Sequence, residues 1–186
     1  MEYIEKKVIL TKEELNKTIK SLAAEIVAKN SGVGDLAIVG IHTMGVPLGK
    51  RILAEIQAAA KNDADKEIPF GTLGITLYRD DVNTMESVPE VKDTDINFDI
   101  NGKKIVLVDD VIYSGRTIRA ALDELMDYGR PQSIQLAVVI DRGHRELPIE
   151  PNFVGKKIQT SKDEAVELEL VEIDGQDRVV LKQLKD

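Results

Sequence analysis

Three runs in this chain are apolar almost without interruption: Leu36–Ile41 (LAIVGI), 105–108 (IVLV) and the greater part of Ser133–Asp141 (SIQLAVVID). A strand with one wet face alternates polar and apolar residues. These do not, so both of their faces must be covered. The first two are each followed by a short loop of small residues and then a helical pattern. That order, strand then loop then helix, predicts an α/β fold with a mainly parallel sheet flanked by helices. Sheets of this kind bind ligands beyond the carboxyl ends of their strands.

The rest of the chain fits one such unit. Its 186 residues suffice for one domain with a full core, and no internal repeat or composition break divides it, so residues 1–186 are read as a single domain. No apolar run approaches the roughly 20 residues of a membrane helix. The start, MEYIEKKVIL, lacks the apolar centre of a signal peptide. There are no cysteines, so disulfides and thiolate metal sites are excluded and a cytoplasmic location is expected. The net charge of −8 argues against indiscriminate nucleic-acid binding but leaves room for a local basic patch.

Residues 11–30 read as a helix. Thr11 and Glu14 have capping-box spacing, and Leu15, Ile19, Leu22, Ala23, Ile26 and Val27 share a face. Residues 46–62 give a second helix with Leu48, Ile52, Leu53 and Ile56 inward. Residues 71–79 give a strand in which Leu73, Ile75 and Leu77 alternate. The polar, acidic stretch 80–102 has little periodicity, as expected of a mobile lid. Residues 104–110 are a buried strand and 117–129 a helix stopped by Gly129 and Pro131. Residues 165–184 read as a C-terminal β-hairpin turning near Asp174-Gly175.

Asp109 and Asp110 fall where IVLV ends, and YSGRT follows at once. Two carboxylates at the ligand edge can accept hydrogen bonds from the vicinal hydroxyls of a ribose. They can also steer a hydrated Mg²⁺, which prefers oxygen ligands and keeps several waters. The loop Ser114, Gly115, Arg116, Thr117 opens a helix, whose free N–H groups and dipole suit a phosphate. Gly115 allows close approach of backbone to ligand. Ribose and phosphate adjoin in a sugar phosphate as these two elements adjoin in the chain, so the pattern points to a ribose 5-phosphate site. Adjacent unpaired charges serving only as a strand end would carry a desolvation cost.

The Gly-bounded loop GIHTMG stands in the same relation to the earlier strand, and Thr43 with its neighbouring backbone suits a second anion. His42 has no second histidine near it in sequence to share a metal. The segment DRGHRELP, 141–148, is too densely charged for a core and is read as a loop at the ligand edge.

These residues carry a resemblance. VLVDDVIYSGRT resembles the phosphoribosyl-pyrophosphate (PRPP) signature of type I phosphoribosyltransferases. ITLYRDD, IQLAVVIDRGHRELPI and VGKKIQTS resemble the narrower PyrR family of pyrimidine operon attenuators and uracil phosphoribosyltransferases, over almost the whole chain. The resemblance implies the type I phosphoribosyltransferase fold and the conversion of uracil and PRPP to UMP and diphosphate, with Mg²⁺. By position it implies that Asp109 and Asp110 hold the ribose hydroxyls and, through them or water, the metal. It implies that Tyr113, Ser114, Gly115, Arg116 and Thr117 hold the 5-phosphate and that Thr43, Met44 and Gly45 face the diphosphate. Arg79 belongs to a catalytic lid, and Asp141 and Arg142 lie where uracil sits. It further implies a homodimer or homotetramer, with UMP or UTP promoting binding of a pyrimidine operon mRNA hairpin through His144, Arg145, Lys156 and Thr160.

The chain departs from the family at three places. Met44 stands where many members have arginine, and Ser21 and Glu150 replace arginines of the RNA face. Two narrower readings therefore accompany the bifunctional one: a nucleotide sensor without turnover, and a salvage enzyme without RNA binding. Base choice follows from the resemblance alone, which argues against a purine enzyme.

Overall fold

The computed structural model describes residues 3–59, 67–75 and 93–185. Their elements run β1 (Tyr3–Leu10), α1 (Lys12–Lys29), β2 (Leu36–Ile41), α2 (Gly45–Ala59), β3 (Phe70–Leu73), β4 (Lys104–Ile112), α3 (Arg116–Met126), β5 (Ser133–Asp141), β6 (Phe153–Lys157), β7 (Glu164–Glu169), α4 (Val171–Asp174) and β8 (Arg178–Leu184). Five strands form a parallel sheet in the order β3-β2-β4-β5-β6. The other three form a small antiparallel sheet, β1-β8-β7.

The apolar strands feed two cores, one on each face of the parallel sheet. Ile38, Val106, Val108, Ala137 and Val139 face one core, with Leu15, Ile19, Leu22 and Ile26 of α1 and Leu48, Ile52 and Ile56 of α2. Val39, Ile105, Leu107 and Val138 face the other, with Ile118, Ala121 and Leu125 of α3. Successive side chains of a strand point to opposite faces, so a strand covered on both sides must be apolar throughout. The small sheet joins the first core through Leu168 and Val179.

The capping box of α1 is complete: Glu14 N donates to Thr11 Oγ1 at 3.3 Å and Thr11 N to Glu14 Oε2 at 2.8 Å. The hairpin pairs β7 with β8, but its connection holds one helical turn, α4, stopped by Gly175 at φ 77°. Two expectations shift. β4 continues past the aspartates to Ile112, because Val111 and Ile112 keep pairing with Ile140 and Asp141. The later part of the stretch expected to be a lid packs on the protein: Thr72 and Asp95 form an isolated antiparallel bridge and Ile100 is buried. Leu77 and Arg79 lie outside the described residues. Among the described residues no helix is long and apolar enough to cross a membrane.

Candidate functional site

Asp109 and Asp110 lie near the carboxyl end of β4, with Asp109 6% exposed. Each carboxylate accepts a backbone N–H: Asp110 N at 3.0 Å from Asp109 Oδ1, and Val111 N at 2.8 Å from Asp110 Oδ1. Burial raises the pKa of Asp109 well above the usual carboxylate range, and the Asp110 carboxylate beside it adds to the effect. Burial also raises Asp110. Hydroxyl donors or a cation would relieve this cost of desolvation.

Glycine brings the loop of residues 42–45 against this pair. A Cβ at Gly45 would stand 2.1 Å from Val108 O and 3.4 Å from Asp109 Cα, and one at Gly40 would stand 2.5 Å from Gly45 O. The start of α2 therefore touches the backbone of β4 directly, and its first turn lies beside the aspartates. His42 N donates to Leu73 O at 3.0 Å, tying the loop to β3, and the His42–Thr43 peptide is cis. Thr43 is exposed. Met44 is half-buried, its side chain packed on the first core.

The loop opening α3 follows β4. Gly115, at φ 93°, precedes α3, and no side chain caps the helix. Ser114 Oγ accepts from Arg116 N at 3.3 Å. Glu146 N and Leu147 N both donate to Ser114 O, at 2.9 and 3.1 Å, and the Cβ atoms of Leu147 and Ile149 come within 3.5 Å of where a Gly115 Cβ would be. Arg116 Nε donates to Glu146 Oε2 at 2.7 Å, an exposed pair worth at most about 1 kcal/mol. Thr117 lies in the first turn of α3.

The charged loop after β5 turns inward. Arg142 is only 8% exposed. Its Nε donates to Thr160 Oγ1 at 3.1 Å and its Nη2 to Ser161 O at 3.1 Å and Glu164 O at 2.5 Å, while the guanidinium lies 4.3 Å from the Tyr113 ring centroid. Arg145 Nη2 donates to Asp141 Oδ2 at 2.8 Å, and its other nitrogens donate to Ile149 O at 2.8 Å and Tyr113 O at 3.0 Å. Burial pushes the Asp141 carboxyl up, but Arg145 and the Gly143 N–H outweigh it and hold the group below its ordinary range. His144 is exposed, its Nε2 2.6 Å from Thr160 O and its ring edge-on to Tyr113. Lys156 is exposed on β6, where its Nζ donates to Ile9 O at 3.1 Å.

Thus Thr43, Gly45, Asp109, Asp110, the 113–117 loop and Asp141 share one edge of the sheet. The guanidiniums of Arg142 and Arg145 are spent on protein oxygens. Sequence reasoning named Thr160 but missed this bracing, including the hold of Arg142 on Ser161 and Glu164. Glu124, a buried carboxylate on α3, was also unforeseen: Thr94 Oγ1 donates to it at 2.7 Å and accepts from Gly74 N at 3.0 Å. No local pattern announces such partners; only the Gly-bounded spacing of 40–45 hinted at a close approach.

A family model for the phosphoribosyl transferase domain matches residues 7–173. Proteins named bifunctional protein PyrR resemble the chain throughout. The one from Pelotomaculum thermopropionicum is 51% identical over 177 residues, covering 95% of this chain and 96% of that protein. The one from Acetivibrio thermocellus is 50% identical over 182 residues, covering 98% and 97%. Among solved structures, a hypoxanthine-guanine phosphoribosyltransferase from Bacillus anthracis superposes with a TM-score of 0.70 at 17% identity, covering 98% of this chain and 100% of that one. A hypoxanthine phosphoribosyltransferase from Staphylococcus aureus gives 0.67 at 21%, covering 97% and 92%. At these identities the structural likeness concerns the fold alone.

Proposed function

We infer the function from one premise: the chain belongs to the bifunctional PyrR family, within the phosphoribosyltransferases. The reaction is transfer of ribose 5-phosphate from PRPP to uracil, giving UMP and diphosphate. The observation that carries this reading is the Asp109–Asp110 pair, the first buried and the second half-buried, set between two loops that each open a helix, one of them held at backbone contact by Gly45.

Asp109 and Asp110 accept the ribose hydroxyls. The backbone of 114–117, with the Ser114 and Thr117 hydroxyls, Arg116 and Tyr113 around it, receives the 5-phosphate. Thr43, Met44 and Gly45 present their backbone to the diphosphate. Breaking the bond to diphosphate leaves positive charge on the ribose ring, as in glycoside hydrolysis. The aspartates favour that charge, and fixed N–H donors favour the negative charge gathering on the leaving group. Positioning supplies most of the remaining rate. Uracil sits at the strand end by Asp141 and Arg142, and Arg79 belongs to the lid.

The donor set fits Mg²⁺. Carboxylate oxygens are hard ligands, suited to an ion that keeps water and substrate oxygens in its shell. Asp109 and Asp110 would hold it, through water or the ribose hydroxyls, and it would neutralise diphosphate charge.

The second activity is UMP- or UTP-dependent binding of a pyrimidine operon mRNA hairpin, attenuating transcription. His144, Lys156 and Thr160 form the face for it, with Arg145 bracing the loop behind them. A cytoplasmic homodimer or homotetramer completes the reading. The test is purified protein with PRPP, Mg²⁺ and labelled uracil, with hypoxanthine in parallel and Asp110→Asn as control. UMP formed by the native chain and lost in the variant is expected. Turnover of hypoxanthine instead of uracil overturns the base assignment. Absent turnover with UMP still bound makes the protein a sensor.

A further inference from the structure

We propose that Tyr113 and Arg142 are positioning residues that carry the state of the phosphate loop to the RNA-binding face. The inference rests on the RNA-binding reading above and names the physical connection within it.

Tyr113 begins the loop read above as receiving the 5-phosphate, and its ring is contacted by two side chains from the loop after β5. The Arg142 guanidinium lies over it at 4.3 Å and the His144 ring meets it edge-on at 5.6 Å. Both residues then hold one segment, 160–164. Arg142 donates to Thr160 Oγ1, Ser161 O and Glu164 O, and His144 Nε2 lies against Thr160 O. Arg145 fixes the backbone of the same junction through Tyr113 O. Three of the four residues assigned to RNA therefore touch Tyr113 or a group stacked on it. Lys156, on β6, stands apart from this network.

The guanidinium fork is rigid and planar, so its three acceptors and its aromatic face are fixed together. A displacement of the ring on phosphate binding must move the fork or break one of its bonds. Arg142 is 8% exposed, so a broken bond there is not made good by bulk water. The phosphate loop and segment 160–164 consequently move as one body. That is the requirement for coupling: a ligand shifts a second site only through an element both sites bias.

The test measures RNA affinity with and without saturating UMP, for the native chain, Tyr113→Leu and Arg142→Lys. The probe is a stem-loop RNA from a pyrimidine operon leader, with a shuffled stem-loop as control. Tyr113→Leu removes the face that Arg142 and His144 share but keeps the carbonyl that Arg145 holds. Arg142→Lys keeps the charge and loses the fork. In the native chain UMP tightens RNA binding by about tenfold or more, within the usual range for coupled sites. In both variants that ratio falls towards one, and by reciprocity RNA ceases to tighten UMP. The salt dependence of RNA binding keeps its native slope in both, because no phosphate contact is removed; Lys156→Gln lowers the slope by about one. A native ratio in both variants overturns the proposal, as does a reduced slope in Arg142→Lys, which would make that residue a direct contact. A native chain whose RNA affinity ignores UMP overturns the regulatory reading itself and the link with it.

Discussion

Gly45 is where the fold and the reaction meet, and Gly45→Ala tests both. The added Cβ would lie 2.1 Å from Val108 O and 3.4 Å from Asp109 Cα. Close carbon–oxygen approaches run at about 3.3 Å, so the start of α2 and the end of β4 must part by about 1 Å. Alanine's better helix propensity returns at most about 1 kcal/mol. Overpacking costs about 1–3 kcal/mol, and the upper end applies here because the clashing atoms, the carbonyl O and C of Val108, are backbone and cannot swing aside. At roughly 2–4 °C per kcal/mol for a chain of this size, the Tm falls by several degrees. The larger effect is on turnover. A misplacement of about 1 Å between the diphosphate loop and the ribose carboxylates costs about 10²-fold in kcat/KM for PRPP. Thermal melts and initial rates measure the two effects separately. Gly102→Ala is the control: nothing lies within 4 Å of its added Cβ, but its φ of 72° costs a non-glycine residue about 1–2 kcal/mol. It should lower Tm and leave kcat/KM unchanged. A Gly45→Ala protein with native kcat/KM would refute the claim that this contact sets the geometry of the site.

Three further outcomes are expected. Thr11→Ala removes the cap of α1 and should cost about 1 kcal/mol, read as a Tm lower by roughly 2–4 °C. Lys6 and the Ser161 N–H hold the Glu164 carboxyl down, from 4.5 to about 2. Its contribution to stability is therefore fully present above pH 4.5 and lost as pH falls through about 2, so Glu164→Gln should flatten the Tm–pH curve within that window and lower the plateau above it. Met44→Arg places a cation at the diphosphate loop; a charge-assisted hydrogen bond worth about 1.5–3 kcal/mol should exceed the packing lost and lower the KM for PRPP about tenfold, an effect that fades in high salt.

What was legible in the sequence followed from periodicity and local chemistry. The capping box fixed the start of α1, and wholly apolar runs located β2, β4 and β5, the last over the same residues that pair in the sheet. The Asp109–Asp110 pair and its glycine loop were legible because carboxylates and small residues at a strand end have few structural uses. β1 and β6 were not legible. β6 is five residues with two lysines, and β1 is largely exposed with two register shifts against β8, so neither carries a periodic signal. Each is a strand only because a neighbour offers a ladder. The inward turn of Arg142 and Arg145 was equally hidden. A run of charges reads as solvated, and its direction is set by carbonyls and a hydroxyl that the chain delivers from both sides, Tyr113 before it and Thr160 to Glu164 after it.

The three departures from the family pattern have different physical weights. Ser21 is exposed and donates to Glu25 on the same helix at 3.2 Å, so a cation there is replaced by a group satisfied locally. Glu150 is exposed and pairs with Arg145 Nη2 at 3.5 Å, at the limit of a hydrogen bond, while Arg145 has closer partners in Asp141, Ile149 and Tyr113. Glu150 therefore adds negative charge to the proposed RNA face without drawing the arginine behind it away from those closer partners. Its cost falls on long-range attraction and should shrink with salt. Met44 differs because its side chain joins the first core, so the loop gives up a cation and gains apolar anchoring. In the proposed reading, diphosphate binding then rests on the loop's backbone donors, and Gly40 and Gly45 are what let that loop pack against Val108. Met44 and Gly45 thus hold the loop in two ways, one by apolar packing and one by a backbone contact that leaves no room for a single added methyl group.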